Sequence, residues 1–177
     1  MLAIAVREGL EMRLMQPYEA EAIFEAVHRH REYLREWLPW VDGTLAADNT
    51  RDFISKMLRE FASGDSIATS LWWRGAFVGA CGAHRIDAAN RSAEIGYWLV
   101  PDAQGQGIVT SAVETLTRRL FRDRGLHRVA IRCAVANAKS CAIAERLGFR
   151  FEGVQRCGEL LNGRFVDLRV YSKLATD

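Results

Sequence analysis

The sequence predicts a single α/β domain, residues 1–177, built on a mixed sheet, and three observations carry that expectation. Its 177 residues are 49% hydrophobic and 26% charged, ordinary for a globular chain and long enough for one domain to bury about 70% of its unfolded surface. Apolar runs with strand character alternate with stretches whose apolar residues recur at helical spacing. Their order, helices first, then an antiparallel meander, then strand–helix–strand–helix and a closing hairpin, calls for strands of both orientations. No internal repeat, low-complexity tract or linker interrupts the pattern.

Leu10 to Leu14 reads as a first strand, and Pro17 suits a first helical residue, with Ala20, Ile23, Phe24 and Val27 on the apolar face. Tyr33 to Trp40 continues into a short helix disrupted by Pro39. Asp48 to Ala62 reads as a longer helix with Phe53, Ile54, Met57, Leu58 and Phe61 inward. Ile67–Trp73 and Ala76–Ile86 form a hairpin closed at Arg74-Gly75, and Asp87 to Asn90 turns into a strand ending at Val100 before Pro101. A helix over Gly107–Arg124, a strand over Arg128–Val135 and a helix over Lys139–Leu147 follow. The strand Arg150–Leu160 is then folded against Arg164–Leu174 by Asn162-Gly163, a type I′ turn signal.

Gln104-Gly105-Gln106-Gly107-Ile108 lies between a strand and an amphipathic helix. A glycine-bearing loop that opens a helix aims several unpaired N–H groups, and the positive end of the helix dipole, at one point. A pyrophosphate ligand is expected there; the plainer alternative is an ordinary glycine-punctuated turn. A nucleoside-triphosphate loop needs a lysine that Gly107-Ile108-Val109-Thr110 lacks. A dinucleotide loop needs a third glycine where Thr110 stands and an acid after the next strand, which ends in Ala136-Asn137.

The net charge of +2 is too small to make nucleic acid the main partner. Arg118, Arg119, Arg122, Arg124, His127, Arg128 and Arg132 concentrate positive charge, either as a solvated face or as an attraction for an anionic cofactor. Met1 to Arg13 carries charges and no long apolar core, so no leader peptide is expected, and no stretch approaches the roughly 20 apolar residues of a membrane span. Cys81, Cys133, Cys141 and Cys157 lack C-x-x-C spacing and a histidine cluster. Reduced thiols in a cytoplasmic protein are expected, and no metal site.

The loop Gln104-Gly105-Gln106-Gly107-Ile108-Val109 resembles the acyl-coenzyme A loop of the GNAT N-acetyltransferases, Q/R-x-x-G-x-G/A, except that Val109 replaces the small last residue. Asn137-Ala138-Lys139-Ser140 followed by Ala144 to Phe149 resembles the superfamily's N-x-x-S … LGF segment. Gly96-Tyr97-Trp98-Leu99, Arg132 to Asn137 and Glu159 to Gly163 are similar to the RimJ/RimL branch, the N-terminal acetyltransferases of ribosomal proteins, nearest its serine-acetylating members. The resemblance covers nearly the whole chain. It implies a GNAT-type domain with a mixed, mostly antiparallel, twisted sheet flanked by helices, acetyl-CoA as co-substrate, a homodimer, and a peptide or protein N-terminus as acceptor.

The resemblance also implies roles for residues. Gln104, Gly105, Gln106, Gly107, Ile108, Val109 and Thr110 would hold the pyrophosphate. Trp98, Leu99 and Val100 would splay from the strand carrying Cys133 and ending near Asn137, so that pantetheine lies between. Gly96 fits either a bulge that opens this gap or close packing against a ring. Glu159 is implied as general base through a water, its alternative being a solvated edge charge. Ser140 is implied as the acid that protonates the departing thiolate, although Asn137 and Ser140 also suit a helix cap. A backbone N–H near Trp98 or Leu99 would stabilise the developing oxyanion. Cys133 has no local base, so direct transfer is expected rather than an acetyl-cysteine. Glu36, Trp37 and Trp40 fall on the acceptor side, where the alternative for the tryptophans is core packing.

The acceptor stays open at this level. An α-amine has a pKa near 8 and is neutralised at pH 7 for about 1 kcal/mol, against about 4.6 for lysine. The readings kept beside N-terminal acetylation are acetylation of a small amine, such as an aminoacyl-nucleotide antibiotic, polyamine or aminoglycoside, and a catalytically inactive coenzyme A-binding dimerisation module.

Overall fold

Among the described residues, eight strands form one sheet in the order β1-β2-β3-β4-β5-β6-β8-β7. The structure is a computed structural model describing residues 3–177; Met1 and Leu2, where the segment expected to carry no leader begins, lie outside the described residues. The first hairpin, β1 (Ala3–Arg7) and β2 (Leu10–Leu14), precedes a 3₁₀ turn at Pro17–Glu19, α1 (Ala20–Arg29), α2 (Arg31–Leu34) and α3 (Ala47–Ser63). The antiparallel meander β3 (Ile67–Trp73), β4 (Ala76–Asp87) and β5 (Ser92–Leu99) follows. Then come α4 (Ile108–Arg124), β6 (Arg128–Ala134), α5 (Ala138–Arg146), β7 (Arg150–Leu161) and β8 (Arg164–Leu174). Among the described residues only β5 and β6 pair in parallel, so the sheet is mixed and mostly antiparallel as expected.

Alternate residues along the strands feed two cores, one on each face. On one face Leu10, Met12, Leu71, Cys81 and Ile95 pack with Ile108, Ala112, Val113, Leu116 and Leu120 of α4 and with Cys141 and Ala144 of α5. On the other, Ala80 and Trp98 pack with Ile23 and Val27 of α1, Leu34 of α2 and Ile54 of α3. Helix α3 ends at Gly64 and α4 at Gly125, both left-handed, which is where a glycine closes a helix at least cost.

Several expectations need correction. Strand β1 had no period-2 signal long enough to find. Pro17 opens a 3₁₀ turn, not α1 itself; buried Glu19 anchors this turn by accepting from Gln16 N–H at 2.7 Å, Ser70 Oγ at 3.0 Å and Trp72 Nε1 at 3.0 Å. Helix α2 stops at Leu34, so Trp37 and Trp40 sit in turns after it and not on a helix. Phe53, expected inward on α3, is 48% exposed. The hairpin's last strand, β8, inserts between β6 and β7, an order that no local pattern specifies.

Candidate active site

The sheet is split at its centre. β5 and β6 pair only at Ser92–Arg128, Ala93–Val129 and Glu94–Ala130; beyond Glu94 they diverge. β6 stays paired with β8 from Arg128 to Ala134, and β5 with β4 as far as Leu99. Val100 N–H donates to Val78 at 2.9 Å. Backbone groups alternate along a strand, so the N–H groups of Tyr97 and Leu99 face away from β4, into the gap. Leu99 thus carries the free donor, and Trp98 does not. Gly96 shows no register break in β5; a Cβ there would lie 3.3 Å from the His84 ring, so the glycine keeps room for a ring.

A cleft of ≈1550 Å³ runs through this gap and between the two cores. At one end it reaches the glycine loop. Gly105 and Gly107 have φ of +75° and +70°, and a Cβ on either would meet nothing within 4 Å. The left-handed backbone, not crowding, is therefore what calls for glycine. The first i→i−4 bond of α4 is Ser111 N–H to Gly107 O at 3.0 Å, which leaves the N–H groups of Ile108, Val109 and Thr110 outside the helix ladder. Gln104, Gly105, Gly107, Ile108, Val109 and Thr110 line the cleft; Gln106 and the buried Val100 do not.

Two cations on α5 face this loop. Lys139 Nζ donates to Gln104 Oε1 at 2.8 Å, while Gln104 Nε2 donates to the Tyr33 hydroxyl. Arg146 donates to Thr110 Oγ1 at 3.2 Å. The sequence reading missed both, although Lys139, Ile143 and Arg146 share one face at i, i+4, i+7 spacing. Most of the basic cluster it did single out lies elsewhere, although Arg132 lines the cleft. Arg118, Arg119 and Arg122 pair with Glu114 or Asp123 toward the far end of a helix about 25 Å long, and Arg128 pairs with Glu152.

Ser140 stands in the first turn of α5, where Asn137 caps the helix by accepting from Ser140 N–H at 3.1 Å. The Tyr97 hydroxyl is 3.1 Å from both Ser140 O and Ser140 Oγ, and burial pushes that phenol up, out of range of ionisation at neutral pH. Tyr97 is a member of the site that sequence reasoning named in a motif but gave no role. Cys133 lines the cleft close by, its Sγ 3.2 Å from Cys141 Sγ. Burial and the neighbouring Cys141 thiol push it up to about 12, so it stays a protonated thiol.

Glu159 lines the same cleft from β7. The β7–β8 register breaks between Gln155 and Glu159, with Cys157 at φ +49° and its N–H bonded to Asp167 Oδ1 at 2.8 Å. Such a bulge re-aims the residue that follows it. Trp37 and Trp40 line the cleft from the turns after α2, Trp40 with its ring 5.9 Å from that of Trp98; Glu36 is exposed and outside the lining, and the half-exposed Phe53 is within it. On the same side, Glu94 accepts from Arg132 Nε at 2.9 Å and from Arg85 at 3.2 Å, with His84 Nε2 at 3.4 Å. Burial works to raise the Glu94 carboxyl, but the His84 hydrogen bond and the two arginines outweigh it and hold the group at about 2. Among the described residues, no three His, Cys, Asp or Glu side chains are grouped to hold a metal ion.

Residues 10–150 match the family model of the GNAT acetyltransferase domain. The chain belongs to that family: it is an acetyl-CoA-dependent N-acetyltransferase, with acetyl-CoA as its co-substrate. It is 37% identical to the putative ribosomal N-acetyltransferase YdaF of Bacillus subtilis (strain 168), over 98% of this chain and 96% of that protein. Among solved structures it is similar to the ribosomal L7/L12 α-N-protein acetyltransferase RimL in complex with coenzyme A, with TM-score 0.94, 27% identity, and 97% of each chain covered. It is also similar to the microcin C7 self-immunity acetyltransferase MccE in complex with acetyl-CoA and AMP, with TM-score 0.93, 30% identity, and 97% of this chain and 95% of that one covered.

Proposed function

We propose that this chain acetylates the terminal α-amine of a protein or peptide, a ribosomal-protein-like substrate with a small first residue, by direct transfer. The observation that carries this reading is convergence: Ser140, Glu159 and the gap-facing N–H of Leu99 open on one cleft where the sheet divides. Acetyl-CoA supplies the acetyl group as a thioester. The N–H groups of Ile108, Val109 and Thr110, with Lys139 and Arg146 nearby, suit its phosphates, and the gap between β5 and β6 suits an extended arm with its own amides. The Leu99 N–H then meets the oxygen that gains charge. Glu159 accepts the amine proton through a water, an easier task for an α-amine than for lysine by roughly 3.5 kcal/mol at neutral pH. Ser140 Oγ, within hydrogen-bond distance of the Tyr97 hydroxyl on a backbone capped by Asn137, returns a proton to the departing sulfur.

Cytoplasmic location and a homodimer are part of the same proposal. No described helix is long and apolar enough to cross a membrane. The outer strand β7 and its partner β8 carry exposed Phe151, Val154, Leu160 and Phe165, a face that a second copy would cover. Two observations favour a small-amine acceptor as the second reading: the likeness to MccE, and the exposed Trp40 and Phe53 rings in the cleft. A panel decides. A Ser-initiated peptide is assayed beside the same peptide blocked at its terminus with an internal lysine, a polyamine, an aminoglycoside and an aminoacyl-nucleotide. Fastest acetylation of the Ser-initiated peptide is expected; faster turnover of any other overturns the assignment.

A further inference from the structure

We infer that Arg7, on the N-terminal hairpin, is a positioning residue for the phosphate loop: it turns the Gln106–Gly107 peptide so that Gly107 N–H points into the cofactor cleft. This rests on the proposed placement of the pyrophosphate at that loop. Arg7 is the last residue of β1, directly after a register break between Ala5 and Arg7. Its guanidinium lies over the Trp73 ring, 4.6 Å from the centroid, and Arg7 Nη2 donates to Gln106 O at 2.6 Å across 99 residues of chain. The donor is therefore held by stacking on one side and gives one N–H group to one carbonyl of the loop.

A trans peptide points its C=O and the following N–H in opposite directions. With Gln106 O fixed outward against Arg7, Gly107 N–H is turned the other way. Gly107 lines the cleft and Gln106 does not, as that geometry requires. The loop needs such a tether. Gly105 and Gly107 flank Gln106 with left-handed φ, carry no side chains and have no neighbour within 4 Å of a Cβ position, so neither glycine fixes the peptide between them by packing. Lys139 and Arg146 approach the loop from α5; Arg7 holds it from the first hairpin.

The test compares Arg7→Gln, Arg7→Lys, Arg74→Gln and Gly107→Glu with the wild type. Coenzyme A affinity is read by calorimetry, KM and kcat by steady-state assay at saturating acceptor, and folding by thermal melting. Arg74 also lies over Trp73, at 5.1 Å, and serves as a control for loss of ring stacking. Arg7→Gln is expected to weaken coenzyme A binding and raise the KM for acetyl-CoA about tenfold, the scale of one charge-assisted hydrogen bond, with kcat and melting temperature kept. Arg7→Lys keeps the charge without the stacked fork and is expected to recover only part of the affinity, while Arg74→Gln binds as wild type. Wild-type affinity in Arg7→Gln, full recovery in Arg7→Lys, or a fall in kcat without a change in KM overturns the inference. Gly107→Glu separates it from the reading beneath: if that folded variant binds coenzyme A normally, the phosphate-loop placement itself fails. If Gly107→Glu loses affinity and Arg7→Gln does not, only the role of Arg7 fails.

Discussion

A single methyl group at Gly79 is expected to damage both stability and the cofactor gap. Gly79 faces Leu99 across the β4–β5 ladder, and a Cβ there would lie 2.2 Å from Trp98 O and 2.9 Å from Leu99 Cα, both backbone atoms that cannot rotate away. An acceptable carbon–oxygen contact is about 3.3 Å, so the strands must part by about 1 Å. Forced overpacking of this kind costs about 1–3 kcal/mol. At the midpoint, about 2 kcal/mol corresponds to a Tm fall of roughly 4–8 °C in a domain of this size. Beyond Glu94 the gap side of β5 is unpaired, so β5 is expected to yield in that direction and carry the Leu99 N–H with it, and a misplacement near 1 Å costs up to about 10²-fold in turnover. Differential scanning calorimetry and steady-state kinetics on Gly79→Ala check both parts, with Gly43→Ala, where nothing lies within 4 Å, as the neutral control for melting. A Gly79→Ala protein melting within about 1 °C of wild type, with unchanged kcat/KM, would refute the crowding estimate and the coupling of this strand pair to the gap.

Glu159→Gln and Ser140→Ala should each lower kcat by about 10²–10⁴-fold with little effect on coenzyme A affinity; wild-type turnover of Glu159→Gln across about pH 6–9 would make that carboxylate a surface charge. The Arg128 hydrogen bond, helped by Ser172, holds Glu152 at about 2, so its folded pKa lies below the unfolded value of about 4.3. The stability it adds is therefore complete above that value and disappears as pH falls through about 2. Both partners are more than a third exposed, so the effect is small. Urea midpoints between about pH 5 and pH 2.5 should drop less steeply in Glu152→Gln, and identical slopes would count against the pairing. Iodoacetamide at about pH 8 should label the exposed Cys157 well before buried Cys81, Cys133 and Cys141, giving one adduct by mass spectrometry. Cys133→Ala should remain active, and its inactivation with an intact fold would revive a covalent route.

The strands and helices with strong periodicity were legible in the sequence, α4 and the β7–β8 hairpin nearly to the residue. Short or context-made elements were not. Strand β1 is five residues paired only to β2, and α2 is a single turn whose length is set by packing of Leu34. Phe53 was misread because its helical spacing with Ile54 and Met57 says only that a face is apolar; the structure turns that face partly to the core and partly to the cleft. In the candidate site, most of the loop, Ser140, Cys133, Trp37 and Trp40 line one cleft. Arg7, Tyr97, Lys139 and Arg146 were invisible as a group because the fold, and not the chain, makes them neighbours. Local pattern also could not show which N–H groups face the gap. That follows from Val100 donating to Val78, a contact between residues whose partnership depends on register.

The three-residue pairing of β5 with β6 has a mechanical consequence. Ser92–Glu94 and Arg128–Ala130 act as a rivet joining two stiff plates, β1 to β5 on one side and β6, β8 and β7 on the other. From Glu94 to Leu99 the free edge of the first plate is a lever about 17 Å long. A tilt of only about 3° at the rivet moves the Leu99 end by nearly 1 Å, a distance on which hydrogen bonding turns. Buried Ala93 lies at the fulcrum, so a larger side chain there is expected to tilt the plates and change how tightly the protein grips a thin ligand without touching it.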